Sequence, residues 1–227
     1  MSNVVRIHHF PKSGHAHRAL VFAKLAGIAH ETVFVDLAAG EHKSPEFLAM
    51  NPNGQVPVLE DGEVIVSDSN AILVYLARQY APDWIPSDAV GEASVQRWLS
   101  LAAGEIAFGS CAARLITIFQ APLDPDFAAA TASKAMQKLE MGLENHDWLV
   151  GSRPTIADVA AYSYTAHAPE GNISLEPYPN VRSWIARFEA LPSFEAMPAT
   201  AAVLASEQED ERHGNGSSAL HAAALRT

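Results

Sequence analysis

Residues 56–80 read VPVLEDGEVIVSDSNAILVYLARQY, and this stretch decides the fold. Two short apolar runs, Val56-Pro57-Val58-Leu59 and Val64-Ile65-Val66, flank Glu60-Asp61-Gly62-Glu63. An Asp-Gly pair between β-branched runs is a strong hairpin signal, because the tightest hairpin turns need backbone at φ > 0. Ser67-Asp68-Ser69-Asn70 then supplies side-chain acceptors for a helix start, and Ala71–Tyr80 carries Ile72, Leu73, Leu76 and Tyr80 at helical spacing.

Working back from the hairpin, Asn51-Pro52-Asn53-Gly54 is a turn, and Ser44-Pro45-Glu46 opens a short helix with proline at its first position. Val4–Phe10 and Glu31–Leu37 read as strands. Between them Ser13-Gly14 opens a helix from His15 to about Ala26, which Gly27 stops. A helical crossover of this kind joins parallel strands. The order β-α-β-α-β-β-α over residues 1–80 is a complete α/β unit.

Working forward, APDWIPSDA at 81–89 breaks the pattern with two prolines and marks a linker. Everything beyond it reads as helix: one Ala- and Leu-rich segment over Glu92–Phe119, a second from Asp126 to about Val150, then Thr155–His167 and Asn180–Leu191. The expected organisation is an α/β domain at 1–80, a linker at 81–89, an all-helical domain at 90–205, and a fraying tail at 206–227. Thr155 with Asp158 three residues on resembles a capping box, and on that basis alone Asp158→Ala costs about 0.5–2 kcal/mol.

Composition bounds the function. The 227 residues carry a net charge of −11, with 48% hydrophobic and 18% charged residues, as in a soluble globular protein. So acidic a chain disfavours nucleic-acid backbones. Residues 1–80 hold 6 basic and 8 acidic groups against 9 and 18 in the rest, so the front half is the better host for a small anion. No apolar run approaches the roughly 20 residues of a membrane span, and MSNVVRIHHF lacks a signal-peptide core. The single cysteine, Cys111, excludes an internal disulfide, a Cys-x-x-Cys centre and a multi-thiolate zinc site, and reads as a small buried hydrophobe. His8 and His9 read as alternation on a strand with one ring inward, because no carboxylate or cysteine stands at a metal-ligand spacing. No metal is expected, and a reduced, cytoplasmic protein is the default.

The chemistry converges on Pro11-Lys12-Ser13-Gly14-His15-Ala16, where a strand passes into a helix. Ser13 and Ala16 stand at the spacing of a thioredoxin-like Cys-x-x-Cys, and a hydroxyl cannot cycle through a disulfide. Ser13 is either a plain N-cap or a donor to an anion in the positive field of a helix N-terminus; a thiolate held there has a lowered pKa. Pro57, opening a strand, implies an edge or a cis bond that frees the Val56 backbone for a peptide-like ligand. The helix start at Asp68-Ser69 suits an amino and a carboxylate group, and Lys43 beside His42 adds a cation. A thiolate, a peptide backbone, an α-amino-carboxylate and a second carboxylate are the parts of glutathione.

NPNGQVPVLED (51–61), SDSNAILVYLA (67–77) and SRPTIADVAAY (152–162) together resemble the cytosolic glutathione S-transferase family from about Val4 to about Met197. SGHAHRA (13–19) resembles its bacterial serine-type branch. The resemblance implies an N-terminal thioredoxin-like domain followed by a C-terminal α-helical bundle, and an enzyme conjugating glutathione to small hydrophobic electrophiles in detoxification. It assigns Ser13 to the glutathione sulfur, Val56 to the cysteinyl backbone, and Asp68 and Ser69 to the γ-glutamyl end. His42, Lys43 and Gln55 fall near the glycine carboxylate. Asp68 is one methylene shorter than the family's usual Glu, and His15 could also meet the sulfur or a substrate. Phe10, His15, Phe108, Arg114 and Ile118 are candidates for a second-substrate site, each also readable as ordinary core or surface. A homodimer is implied, with the N-terminal domain of one chain against the helical domain of the other. The alternatives are a glutathione-binding module with little turnover, or a glutathione-dependent peroxidase or reductase.

Overall fold

A computed structural model describes residues 4–200. The expected tail at 206–227 and the end of the helical unit lie outside the described residues.

The N-terminal half is a four-stranded sheet in the order β2-β1-β3-β4. Its strands are β1 (Val5–His9), β2 (His30–Phe34), β3 (Val58–Asp61) and β4 (Val64–Ser67). β1 and β2 are parallel, joined through helix α1 (Gly14–Leu25) as the crossover reading requires. β1–β3 and β3–β4 are antiparallel. Asp61 pairs with Val64, so the hairpin loop is Gly62-Glu63; Gly62, at φ 62°, takes its first position, where a side chain would be strained. Helix α2 (Pro45–Met50), capped by the Ser44 hydroxyl, and helix α3 (Ser69–Tyr80) complete this half.

This topology sets the ends of the sheet. β4 runs in the same direction as β1, because each is antiparallel to β3. The C-terminal ends of β1 and β4 therefore emerge at one edge and deliver the N-termini of α1 and α3 there. Val58 pairs with both His8 and Ser67, so the residues leading into β3 arrive at that same edge.

The second half is helical: α4 (Ala89–Leu101), a π-helical stretch (Ala102–Cys111), α5 (Ala112–Phe119), α6 (Pro125–Gly142), α7 (Ile156–Ala166) and α8 (Pro179–Glu189). Residues 89–119 form one continuous helix, apolar enough over an 18-residue window (mean hydropathy 1.4) to match a membrane span in length and composition. Glu92, Arg97, Glu105 and Arg114 interrupt it, so it is not an uninterrupted apolar run. Half of that window is buried inside the protein, as befits a core helix. α6 also stops short of the expected Val150. Asn145 turns the chain at φ 60°, and the Leu149 N–H is taken by the Asp158 carboxylate rather than by a helix carbonyl. One apolar core crosses the two halves, from Ile7, Phe22 and Leu73 in the first to Ile106, Tyr162 and Trp184 in the second. His8 is the inward ring of the histidine pair, its Nε2 2.6 Å from Glu60 Oε1.

Candidate active site

Ser13 is the N-cap of α1. Its extended backbone (φ −89°, ψ 113°) lets Oγ accept from the Ala16 N–H at 3.2 Å, while its own N–H donates to the Phe10 carbonyl at 2.9 Å. The hydroxyl accepts in that contact, so its proton remains available to an acceptor outside the helix. The first turn of α1 holds no acidic residue to cancel the positive end of the helix.

The turn is seated on the helical half. Gly14 lies so close to Tyr164 that a Cβ there would come within 2.7 Å of the ring. Tyr164 also interacts with Cys111 and with the His15 main chain. Burial pushes the Tyr164 hydroxyl and the Cys111 thiol upward, so both are neutral at physiological pH. The His15 ring packs edge-on against Tyr164 at 4.9 Å, and its Nδ1 lies 3.3 Å from Ser69 Oγ. Burial, with a smaller push from Arg18, lowers His15 to about 3, so the ring is neutral and turned toward Ser69.

Arg18, which the sequence reading passed over, joins the two helix starts. It is 1% exposed, and its Nη1 donates to Ser69 Oγ at 2.9 Å and to Asn70 Oδ1 at 2.7 Å. Nε and Nη2 are buried without a hydrogen-bond partner. Burial pulls the guanidinium to about 10, against the opposing effect of Tyr164, Asp68 and Cys111, so it stays charged. A lone Arg in the apolar run Ala16–Ala23 was the available signal. Ser69 is itself buried, held by Arg18 on one side and His15 on the other. Asp68, exposed and at φ 78°, turns its carboxylate back on its own helix, Oδ1 accepting from the Asn70 and Ala71 N–H groups at 2.9 Å.

The Val56–Pro57 bond is cis. Val56 packs with Ala16, Val35, Phe47 and Val58, and its main chain makes no backbone–backbone hydrogen bond among the described residues. Asn51 braces the preceding loop through the Gln55 carbonyl (2.7 Å) and the Asn53 N–H (3.1 Å), leaving the Gln55 side chain exposed. Lys43, in the 3₁₀ turn Glu41–Lys43, lays Nζ on the Asn53 and Gly54 carbonyls at 3.4 and 3.3 Å; His42 beside it buries Nδ1 without a partner.

The second-substrate candidates scatter. Phe10 lies against the small cluster around Phe47, Phe108 is 62% exposed on the π-helical stretch, and Ile118 is partly buried. Arg114 is 1% exposed, bound to Glu170 and the Lys12 carbonyl, which fits an internal tie rather than a substrate contact. A groove of about 530 Å³ between α4 and α6, lined by Arg97, Trp98, Glu105 and Met141, includes none of these residues. Among the described residues no group of three or more His, Cys, Asp or Glu side chains could hold a metal ion.

The family profile for the glutathione S-transferase N-terminal domain matches residues 3–78, and that for the C-terminal domain matches residues 124–192. The chain belongs to the glutathione S-transferase family. Human glutathione S-transferase theta-2 is 37% identical over 182 residues, covering 75% of this chain and 74% of its own length. Among solved structures, glutathione S-transferase from Pseudomonas fluorescens superposes with a TM-score of 0.81 at 28% identity over 86% of this chain and all of that one. The theta-class glutathione S-transferase of Xanthomonas axonopodis pv. citri, solved with glutathione bound, gives 0.76 at 28% identity, covering 88% of this chain and all of that one. These relatives come from a mammal and from bacteria and single out no branch. The expected thioredoxin-like half followed by a helical half is the family's fold, and the protein is a glutathione transferase.

Proposed function

We propose that this glutathione S-transferase binds glutathione across the sheet edge carrying Ser13, Val56 and Asp68-Ser69, and transfers its sulfur to an electrophilic carbon of a small apolar compound. The thiol proton leaves to solvent, and the thiolate accepts a hydrogen bond from the Ser13 hydroxyl. A carbon–sulfur bond then forms as the leaving group departs with its electron pair. The carrying observation is the Ser13 hydroxyl at the N-cap of α1, its proton uncommitted, on a helix start with no acid in its first turn. Val56 offers main-chain groups to the cysteinyl residue, and the start of α3, backed by the buried Arg18 cation, takes the γ-glutamyl carboxylate. Lys43, with His42 and Gln55, lies on the side assigned to the glycine carboxylate. The reading includes a cytoplasmic homodimer acting in detoxification, without a metal; a monomer by light scattering counts against the dimer.

One observation favours a second reading, glutathione binding with little turnover. The Asp68 carboxylate caps its own helix, which leaves it less free for the γ-glutamyl amine. A reductase needs an accessible thiolate, and Cys111 is buried with its thiol pushed up. Peroxide reduction by the bound glutathione thiolate stays compatible with the site. Titration of bound glutathione by thiolate absorbance separates the readings. Transfer chemistry requires a lowered thiol pKa that Ser13→Ala raises, each unit corresponding to about 1.4 kcal/mol. An unshifted thiol in the wild type, or full turnover in Ser13→Ala, refutes the proposal.

A further inference from the structure

We infer that Arg114 is a positioning residue: from the helical half it fixes the peptide plane that presents the Ser13 hydroxyl. The inference rests on the role proposed for Ser13. Arg114, in α5, is almost fully buried, with Nε 2.5 Å from Glu170 Oε2 and Nη1 donating to the Lys12 carbonyl at 2.8 Å, across 102 residues of sequence. That carbonyl belongs to the peptide whose nitrogen is Ser13 N, and Ser13 N–H donates to the Phe10 carbonyl. One hydrogen bond inside the turn and one from the other half of the molecule therefore hold opposite sides of a single peptide group.

The anchor is itself fixed. Glu170 Oε1 lies 2.8 Å from His167 Nδ1 and accepts from the Thr200 N–H at 3.0 Å. Burial alone would raise the Glu170 carboxyl, but His167, Thr200 and Arg114 together hold it below its ordinary value, so the carboxylate is ionised beside the guanidinium. The 3₁₀ turn Ala168–Gly171 packs so tightly on α5 that a Cβ at Gly171 would come within 2.6 Å of the Arg114 backbone nitrogen. Because Glu170 neutralises Arg114, the guanidinium adds little net field at the sulfur. Its leverage is geometric, since a rigid fork reaches two acceptors that an ammonium cannot span together.

The test measures thiolate absorbance of bound glutathione against pH, with kcat and KM for glutathione, in Arg114→Met, Arg114→Lys, Ser13→Ala and the Ser13→Ala/Arg114→Met double variant. Arg114→Met should keep KM for glutathione within about threefold while raising the thiol pKa by about one unit, a tenfold loss of thiolate below that pKa. Arg114→Lys should fall between wild type and Arg114→Met. In the Ser13→Ala background Arg114→Met should add nothing, because it acts through that hydroxyl. Full additivity, or an unchanged pH profile with a raised KM, overturns the inference. Should Arg114→Met not fold by circular dichroism, Arg114→Lys decides, and a wild-type thiol pKa in that variant overturns the inference. If Ser13→Ala alone changes nothing, the failure lies in the proposed role of Ser13.

Discussion

Asp158 should be worth far more to stability than a helix cap. Its carboxylate is fully buried: Oδ1 accepts from the Leu149 N–H (3.0 Å) and the Trp184 indole N–H (2.9 Å), and Oδ2 from the Thr155 N–H (2.9 Å) and hydroxyl (3.3 Å). One side chain thus joins the start of α7, the loop before it and α8. In Asp158→Ala the Thr155 hydroxyl can rotate, but the other three donors stay buried without acceptors. At about 1–3 kcal/mol each the gross loss is about 3–9 kcal/mol. Removing a buried charge returns part of that, since desolvating a carboxylate costs several kcal/mol. A net destabilisation of about 3–5 kcal/mol is expected, above the 0.5–2 typical of a lost cap. Asp158→Asn keeps the shape and can still accept from Leu149 and Trp184, but turns its amide against the Thr155 N–H. With one donor unsatisfied it should lose about 1–3 kcal/mol. Urea unfolding followed by tryptophan fluorescence reports both values. A loss below about 1 kcal/mol in Asp158→Ala, or equal losses in the two variants, refutes the donor-satisfaction argument.

Stability should fall as the solution is acidified below pH 6.5. His17 is buried between Ser163 Oγ (2.9 Å) and the Glu195 carbonyl (2.8 Å), and burial, then His167 and Lys24, lower its pKa from 6.5 to about 3. The unfolded chain then binds the proton first, so this contribution is complete above pH 6.5 and is lost toward pH 3 at up to ~1.4 kcal/mol per unit. His17→Asn should flatten the dependence of the urea midpoint between pH 7.5 and 5, and an unaltered slope counts against a neutral native ring. Gly14→Ala should destabilise by about 1–3 kcal/mol and lower turnover, because its methyl meets the Tyr164 ring, whereas Gly104→Ala, with nothing within 4 Å, should not. Thermal melting of the pair decides, and equal melting points reject the overpacking argument.

The α/β half was legible because its signals are local. The Asp-Gly pair, the caps at Ser13, Ser44 and Asp68, and the proline after β1 each act within a few residues, and every strand appears within three residues of its expected ends. The helical half was less so. The π-helical stretch lies where Gly109 lets α6 approach until a Cβ would stand 2.5 Å from the Ala132 nitrogen, a constraint set by a residue 23 positions away. The early end of α6 depends likewise on Asp158 capturing the Leu149 N–H. At the candidate site, the helix start at Ser13 and the X-Pro step at Val56 are visible in sequence, and the structure shows an N-cap and a cis bond there. The sequence reading passes over Arg18 and makes Arg114 a candidate substrate contact, because sequence alone does not show that tertiary neighbours bury both guanidinium groups.

Those two arginines show why the half that carries the proposed site is not self-contained here. Ser13 belongs to the first 80 residues, yet each surface of its turn is finished by the helical half: Tyr164 beneath Gly14, Arg114 on the Lys12 carbonyl, Ser163 on His17, and the Leu99 carbonyl accepting from the Asn70 side chain that also steadies Arg18. Without that half, the polar groups of α1 that now face it would meet water. Water would serve their hydrogen bonds but would not fix the angle of the Ser13 hydroxyl. A hydroxyl that lowers a thiol pKa by a single hydrogen bond is effective only if donor and sulfur stay within about 0.5 Å and 10–20° of a productive geometry. If Ser13 plays the role proposed for it, the buried polar contacts between the two halves supply orientation at the sulfur, because each fixes a group of the α1 turn that water would leave free to move.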